Sequence, residues 1–246
     1  MSHIPLSEAS SDWRIVSGGD RCVIIAFGDR VDIATSLRVQ AAAAHFLAHP
    51  LNGVTDVVPA FTTLALHYDP SAYAPDDAPF DVLSSAIDTA LRAGLPEMTT
   101  GGRTIEIPVC YDGTFAPDID DVAARCGIDR DEVIARHGAS ELIVCTFFFS
   151  PGTPFAVGLD PTLSVPRRKT PRTRVPKGSV AIANNQATVY TLETPGGWSI
   201  IGRTPMRFFD LAQTPPVRLR LGDRIRFVPI SQADYAAYES GAQSWA

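Results

Sequence analysis

From Leu142 onward the chain is a succession of short apolar runs, none longer than eight residues, separated by proline and glycine: 142–149, 155–159, 179–183, 187–192, 198–202, 217–221 and 224–228. Runs this short do not make helices of ordinary length. Evenly spaced short strands with such punctuation predict a closed β-barrel or a sandwich. The 20 prolines of the 246-residue chain favour the same outcome, because proline removes a backbone donor and breaks helices. A short helix is expected after Ser231, over Ala233–Tyr238.

The first hundred residues have a different texture. Trp13-Arg-Ile-Val, a Gly18-Gly19-Asp20 turn and Cys22-Val-Ile-Ile-Ala-Phe read as a β-hairpin. Asp32 is placed to cap a helix whose apolar residues are Leu37, Val39, Ala42, Ala43, Phe46 and Leu47. Two more short strands, Val54–Val58 and Thr62–Tyr68, precede a helix that opens at Pro79 and closes near Gly94. The ββαββα order predicts an α+β domain, a small sheet with helices on one face, over residues 1–98. Residues 97–103 read as a linker. The second domain, 104–246, opens with a strand at Thr104–Val109 and two short helices near 118–126 and 130–137.

Composition bounds what such a chain does. A formal net charge of −6 gives no overall attraction to nucleic acid or to an anionic membrane, so an anion site must be local. No stretch is apolar for long enough to span a bilayer, and the N-terminus lacks the basic-then-apolar order of a secretory signal. Cys22, Cys110, Cys126 and Cys145 are scattered, which suits free thiols in a cytoplasm rather than a disulfide frame or a zinc site. Walker A, G-x-G-x-x-G and G-x-S-x-G motifs are all absent.

Six features carry possible chemistry. His45 and His49 have the spacing of a zinc-binding helix, but Phe-Leu-Ala stands between them and the general-base Glu is missing, so surface histidines are expected and no metal site is assigned. Residues 118–137 have the pattern of a helix-turn-helix. Their acids outnumber their arginines, which points to a structural helix pair rather than a DNA reader. Arg167, Arg168, Lys169, Arg172, Arg174 and Lys177 crowd into eleven residues without an acid among them. Guanidinium forks there suit carboxylate or phosphate; an exposed strand edge kept soluble by charge is the alternative. Thr194-Pro-Gly-Gly-Trp198 offers two glycines for close backbone approach, a candidate N–H nest for an anion, and a Trp for stacking. Ser150-Pro-Gly-Thr-Pro-Phe155 is a similar loop, taking in Pro151 and Gly152. His137 is a candidate general base, set against a structural role.

The order of these loops resembles one family. It runs Glu106-Ile-Pro-Val-Cys-Tyr-Asp-Gly, Pro117-Asp-Ile, the Gly127-Ile helix pair ending at His137, Pro151-Gly-Thr-Pro-Phe, Pro166-Arg-Arg, Val175-Pro-x-Gly-Ser-Val, Gln186, Thr194-Pro-Gly-Gly-Trp, Ile201-Gly-Arg-Thr, Phe209-Asp and Gly222-Asp-x-Ile-Arg-Phe. Gly19-Asp-Arg, Phe27-Gly-Asp and Val58-Pro-Ala-Phe extend the match through the first half. The pattern is similar to the family of the 5-oxoprolinase B-type subunit, also called allophanate hydrolase subunit 1 or carboxyltransferase subdomain C/D, to which Kip-type histidine-kinase inhibitors are related.

The resemblance implies a cytoplasmic protein with an N-terminal α/β sandwich and a C-terminal cyclophilin-like β-barrel. It implies a hydrolase subunit paired with a larger carboxyltransferase A/B-type subunit (like the C-type component of 5-oxoprolinase), with a third, hydrolytic subunit alongside. The leading activity is ATP-driven opening of a small lactam or cyclic amide, 5-oxoproline to glutamate. ATP would be shared with the partner; Mg is left open. His137, Arg168 and Gln186 would be catalytic, and Pro151, Gly152, Arg167, Arg172, Tyr190, Thr194, Gly196, Gly197, Trp198 and Arg203 would hold substrate or phosphate. Biotin-dependent urea carboxylation and non-catalytic inhibition of a histidine kinase are the alternatives. The pattern departs from the family in two loops, where Phe148 stands for a Gly and Ala181-Ile-Ala-Asn-Asn-Gln lacks several glycines, so the pocket is expected to be altered.

Overall fold

A computed structural model of the chain describes residues 13–95 and 103–241. Backbone contacts divide the chain into two units, Met1–Met98 and Thr99–Ala246. The expected linker, apart from Arg103, lies outside the described residues.

The first unit is built as its apolar pattern requires. β1 (Arg14–Ser17) and β2 (Cys22–Ala26) form the hairpin, β3 (Val54–Pro59) and β4 (Thr63–Tyr68) follow, and the antiparallel sheet runs β1-β2-β4-β3. Alternation places Val23, Ile25, Leu64 and Leu66 in the core. Against them lie α1 (Ile33–Ala48) and α2 (Pro79–Arg92), which bury Val39, Ala42, Ala43 and Phe46, and Leu83, Ile87 and Leu91, at helical spacing. Asp32 caps α1 by accepting from Thr35 N at 2.8 Å, and Pro79 supplies the fixed φ that suits a first helical turn.

The second unit closes a sheet on itself. Its strands are β5 (Thr104–Val109), β6 (Leu142–Phe147), β7 (Pro154–Val157), β8 (Arg172–Val175), β9 (Ser179–Ala183), β10 (Gln186–Val189), β11 (Thr194–Gly196), β12 (Ser199–Arg203) and β13 (Arg224–Pro229). Seven of them form one sheet in the order β12-β9-β10-β7-β6-β13-β5. β5 and β13 pair in parallel; the other pairs in this sheet are antiparallel. The two outer strands meet at Cys110 and Arg203, whose amides exchange hydrogen bonds of 2.8 and 2.9 Å. That bridge makes the sheet a nearly closed barrel, which removes most of its exposed edge. β8 and β11 form a separate two-stranded ribbon.

The barrel interior is filled by Ile107, Val109, Val144, Ala156, Ile182, Ala187, Val189, Ile201 and Phe227. The helix pair α3 (Ile119–Cys126) and α4 (Arg130–Ala139) contributes Ile119, Val122 and Val133 to the same core. Gly127 ends α3 in the left-handed region, φ 69°, the conformation a helix stop of this kind needs. The tail forms α5 (Gln232–Ser240), capped by Ser231.

One expected strand is absent. The run 217–221 forms none, and Val217 makes only an isolated bridge to Phe209. Pro215 and Pro216 precede it and lack N–H donors, and Leu219 turns singly into the core. Two strands that the apolar pattern does not mark, β8 and β11, are present instead.

Candidate functional site

Strand alternation sets the site. On β7 and β10, Ala156, Ala187 and Val189 point into the barrel core. Phe155, Gln186 and Thr188 therefore face the other side. There they meet the segment 167–171, the ribbon end at Pro195 and Gly196, and Trp198, around a cavity of about 410 Å³. That volume suits a small organic molecule. Its walls are strongly aromatic. Phe148 stacks on Phe155 with ring centroids 4.0 Å apart and planes 16° apart, and Trp198 meets Phe155 edge-on at 5.5 Å. Phe149, at φ 75°, projects 61% exposed at the rim.

Three polar side chains line this cavity without a hydrogen bond or ion pair to the rest of the described chain: Arg167, Asn184 and Gln186. The other polar groups are engaged. The Thr188 hydroxyl donates to Pro154 O at 2.7 Å, and Thr153 Oγ1 shares a hydrogen bond with Thr191 Oγ1 at 2.8 Å. Burial raises the Tyr190 phenol above its ordinary pKa, against the opposing pull of Arg167 and of the Trp198 backbone N–H, so the group stays neutral at pH 7. Among the described residues, no Asp, Glu, His, Lys, Cys or Ser lines the cavity. Its chemistry is one of holding and orienting: a single cation for an anionic group, two amides for a polar edge, and flat apolar faces.

The expected residues divide accordingly. Arg167, Gln186, Tyr190, Gly196, Gly197 and Trp198 come together on this cavity, and Phe148, Phe155 and Asn184 join them. Pro151, Gly152, Arg168, Arg172, Thr194, Arg203 and His137 do not line it.

Arg168 and Arg172 are already paired. Both reach Asp118, which is 4% exposed: Arg168 Nη1 donates to Oδ1 at 2.9 Å, and Arg172 donates Nη2 to Oδ1 at 2.7 Å and Nη1 to Oδ2 at 2.9 Å. The basic run is thus partly neutralised by an acid fifty residues earlier, and these two arginines are not open phosphate forks. Nor do the glycines form a nest, since neither Gly196 nor Gly197 adopts a positive φ. Gly196 instead lies against the Tyr190 hydroxyl, where a Cβ has no room.

His137 is fully buried at the end of α4. Its Nδ1 lies 2.7 Å from the Tyr111 hydroxyl, and its ring stacks on Phe227 at 4.3 Å. Burial lowers its pKa to about 3, so the imidazole is neutral. The ring sits in the core and not on the cavity, which is the structural placement weighed beside a general base. Arg203 lies at the barrel seam, donating Nε to Lys177 O at 2.9 Å. His45 and His49 stack on each other at 4.8 Å, and among the described residues no three His, Cys, Asp or Glu are placed to hold a metal ion. All four cysteines are free. No described helix is long and apolar enough to cross a membrane.

The second unit thus combines helices with a nearly closed, barrel-like sheet that carries an aromatic cavity on its outer face. The chain belongs to the family of the carboxyltransferase domain, subdomains C and D, whose model matches residues 13–219. A Bacillus subtilis (strain 168) protein named as the B-type subunit of 5-oxoprolinase is 37% identical over 232 residues, covering 92% of this chain and 97% of that one. Among solved structures, TTHA0988 is 36% identical with a TM-score of 0.72; the match takes in 86% of this chain but only 40% of TTHA0988, which is much the longer protein. The Kluyveromyces lactis urea carboxylase shares the fold at 18% identity and a TM-score of 0.73, over 92% of this chain and 22% of that one.

Proposed function

We propose that this chain is the B-type subunit of a heteromeric 5-oxoprolinase-type hydrolase, and that its aromatic pocket holds a small cyclic amide bearing a carboxylate, 5-oxoproline first among them. The observation that carries this reading is the set of three uncommitted polar side chains. Among the described residues, Arg167 is the single cation on an otherwise neutral, aromatic cavity, and its guanidinium fork matches a carboxylate. The Asn184 and Gln186 amides each offer a donor and an acceptor, the complement of a lactam N–H and C=O. The similarity to a subunit of that name along nearly all of its length supports the same reading.

The pocket supplies binding rather than bond-breaking, as no Asp, Glu, His, Lys or Cys among the described residues lines it and burial keeps the Tyr190 phenol protonated. The catalytic groups belong to the larger carboxyltransferase A/B-type partner or to a third, hydrolytic subunit. ATP fits this pocket poorly: a triphosphate carries about four negative charges, and Arg167 alone faces the cavity once Arg168 and Arg172 are committed to Asp118. We therefore place the nucleotide, and any Mg that accompanies it, on the partner side. The barrel is read as cyclophilin-like and the setting as cytoplasmic, in keeping with the free cysteines.

The test is nucleotide turnover by the complex co-purified with its larger subunit. Phosphate release that depends on 5-oxoproline and on both subunits is expected, with KM for the lactam raised about tenfold or more by Arg167→Gln. An assembled complex in which Arg167→Gln leaves KM unchanged removes the assignment of the pocket. Turnover that requires a biotinylated partner shifts the chain to carboxyl transfer.

A further inference from the structure

We infer that Asp118 is the positioning residue of this pocket, fixing from behind the two backbone segments that carry Arg167 and Trp198. The inference rests on the pocket being the ligand site, and it concerns how that site is held in shape.

Asp118 occupies the position before α3 where an aspartate ordinarily caps its own helix, yet its side chain makes no capping hydrogen bond. The start of α3 thereby goes without the side-chain acceptor that ordinarily satisfies its first amides. The carboxylate is turned to the barrel and makes four hydrogen bonds there. Three are the arginine contacts described above; in the fourth, Ile200 N donates to Oδ2 at 2.7 Å. The backbone returns the contact, Asp118 N donating to Ile200 O at 3.0 Å. One buried side chain thus holds β12 at Ile200 and the 168–172 segment to a single point.

Both held segments continue directly into the pocket wall. Arg167 precedes Arg168, and Trp198 stands two residues before Ile200. The segments are also tied to each other, because Arg168 N donates to Gly197 O at 2.8 Å and Arg172 pairs with Gly196 across the β8–β11 ribbon. A neutral amide at 118 keeps one bond to the Ile200 N–H but offers one oxygen where two arginines and a backbone amide need two. The wall then loses its common anchor, while the barrel core, built from other residues, stays filled.

The test uses the full chain, with Trp13→Phe and Trp245→Phe making Trp198 the only tryptophan emitter. Asp118→Asn is compared with Val122→Ala, which removes core volume from α3 without touching the pocket. The expected result is a drop in Trp198 emission anisotropy in Asp118→Asn, absent in Val122→Ala at a matched loss of melting temperature. In the co-purified complex, affinity for 5-oxoproline is expected to fall by about tenfold or more, because a displaced binding group weakens every contact it makes. Asp118→Glu, which keeps the charge, restores part of both. Unchanged Trp198 anisotropy in Asp118→Asn overturns the inference. A wild-type complex that binds no 5-oxoproline refutes the ligand reading alone, since the anisotropy comparison still decides the role of Asp118.

Discussion

Gly196 gives the sharpest quantitative test of the pocket's construction. A Cβ added there would lie 2.8 Å from Tyr190 Cζ and 2.9 Å from Cε1, and closer still to the hydroxyl oxygen. Tyr190 has little room to yield. It is 6% exposed and packs with Val175, Ala181 and Ile200. Overpacking of a filled site costs about 1–3 kcal/mol. Gly196→Ala is therefore expected to destabilise the barrel unit by roughly 1–3 kcal/mol. For a unit of this size that is a fall in melting temperature of about 3–10 °C. Thermal unfolding followed by Trp198 emission measures it. The same substitution in a Tyr190→Phe background should cost clearly less, because the nearest clashing atom is gone. Equal costs in both backgrounds, or a wild-type-like melt for Gly196→Ala, would show that Tyr190 is not the obstacle.

Three further outcomes are expected. Arg103→Ala strips Asp223, which is 4% exposed, of two hydrogen bonds at 3.0 and 2.6 Å, leaving it the Arg220 N–H; because Arg103 is itself 41% exposed, the loss in urea unfolding should be about 2 kcal/mol rather than the 3–5 kcal/mol of a fully buried pair. His137 has a folded pKa of about 3 against an ordinary 6.5, so the unfolded chain binds the extra proton first: its contribution is complete above pH 6.5 and is lost as pH falls toward 3, with a slope of at most about 1.4 kcal/mol per pH unit. His137→Leu should remove that slope from the urea midpoint measured between pH 6.5 and 4, whatever its effect at pH 7. Asp32→Ala should cost the first unit about 1 kcal/mol, read by helix circular dichroism during unfolding, through loss of the 2.8 Å bond to Thr35 N.

The elements that local chemistry writes into the chain were legible in advance. Asp32 before an apolar stripe, Pro79 opening another, and alternation in Cys22–Ala26 each specify their element without help from distant residues. β8 and β11 were not legible because Arg-Thr-Arg-Val and Thr-Pro-Gly carry no apolar alternation; they are strands only because each finds the other. The pocket followed the same division. Gly196, Gly197 and Trp198 stood out by residue type and loop chemistry, whereas Gln186 and Tyr190 came only with the family resemblance. Of the basic run, Arg167 reaches the cavity; the pairing of Arg168 and Arg172 was not legible, because their counter-ion Asp118 sits among the acids of a helix pair and looks from the sequence like solvated charge. His137 stood open between a base and a structural role, since the partners that enclose it, Tyr111 and Phe227, lie 26 residues before and 90 after it.

The parallel pairing of β5 with β13 has a consequence for how the protein is made. Thr104 lies opposite Arg224 and Val109 opposite Pro229, so the strand that opens the second unit has no sheet partner until its last strand exists. At the usual 5–20 residues per second of synthesis, that interval of about 120 residues is roughly 6–24 s. Throughout it the apolar residues Ile105, Ile107 and Val109 have emerged without their sheet, whereas β1 to β4 and their helices are complete before β5 is even translated. The nascent barrel is the stretch of this chain that needs protection from aggregation, and a truncation that removes β13 leaves β5 unpaired permanently.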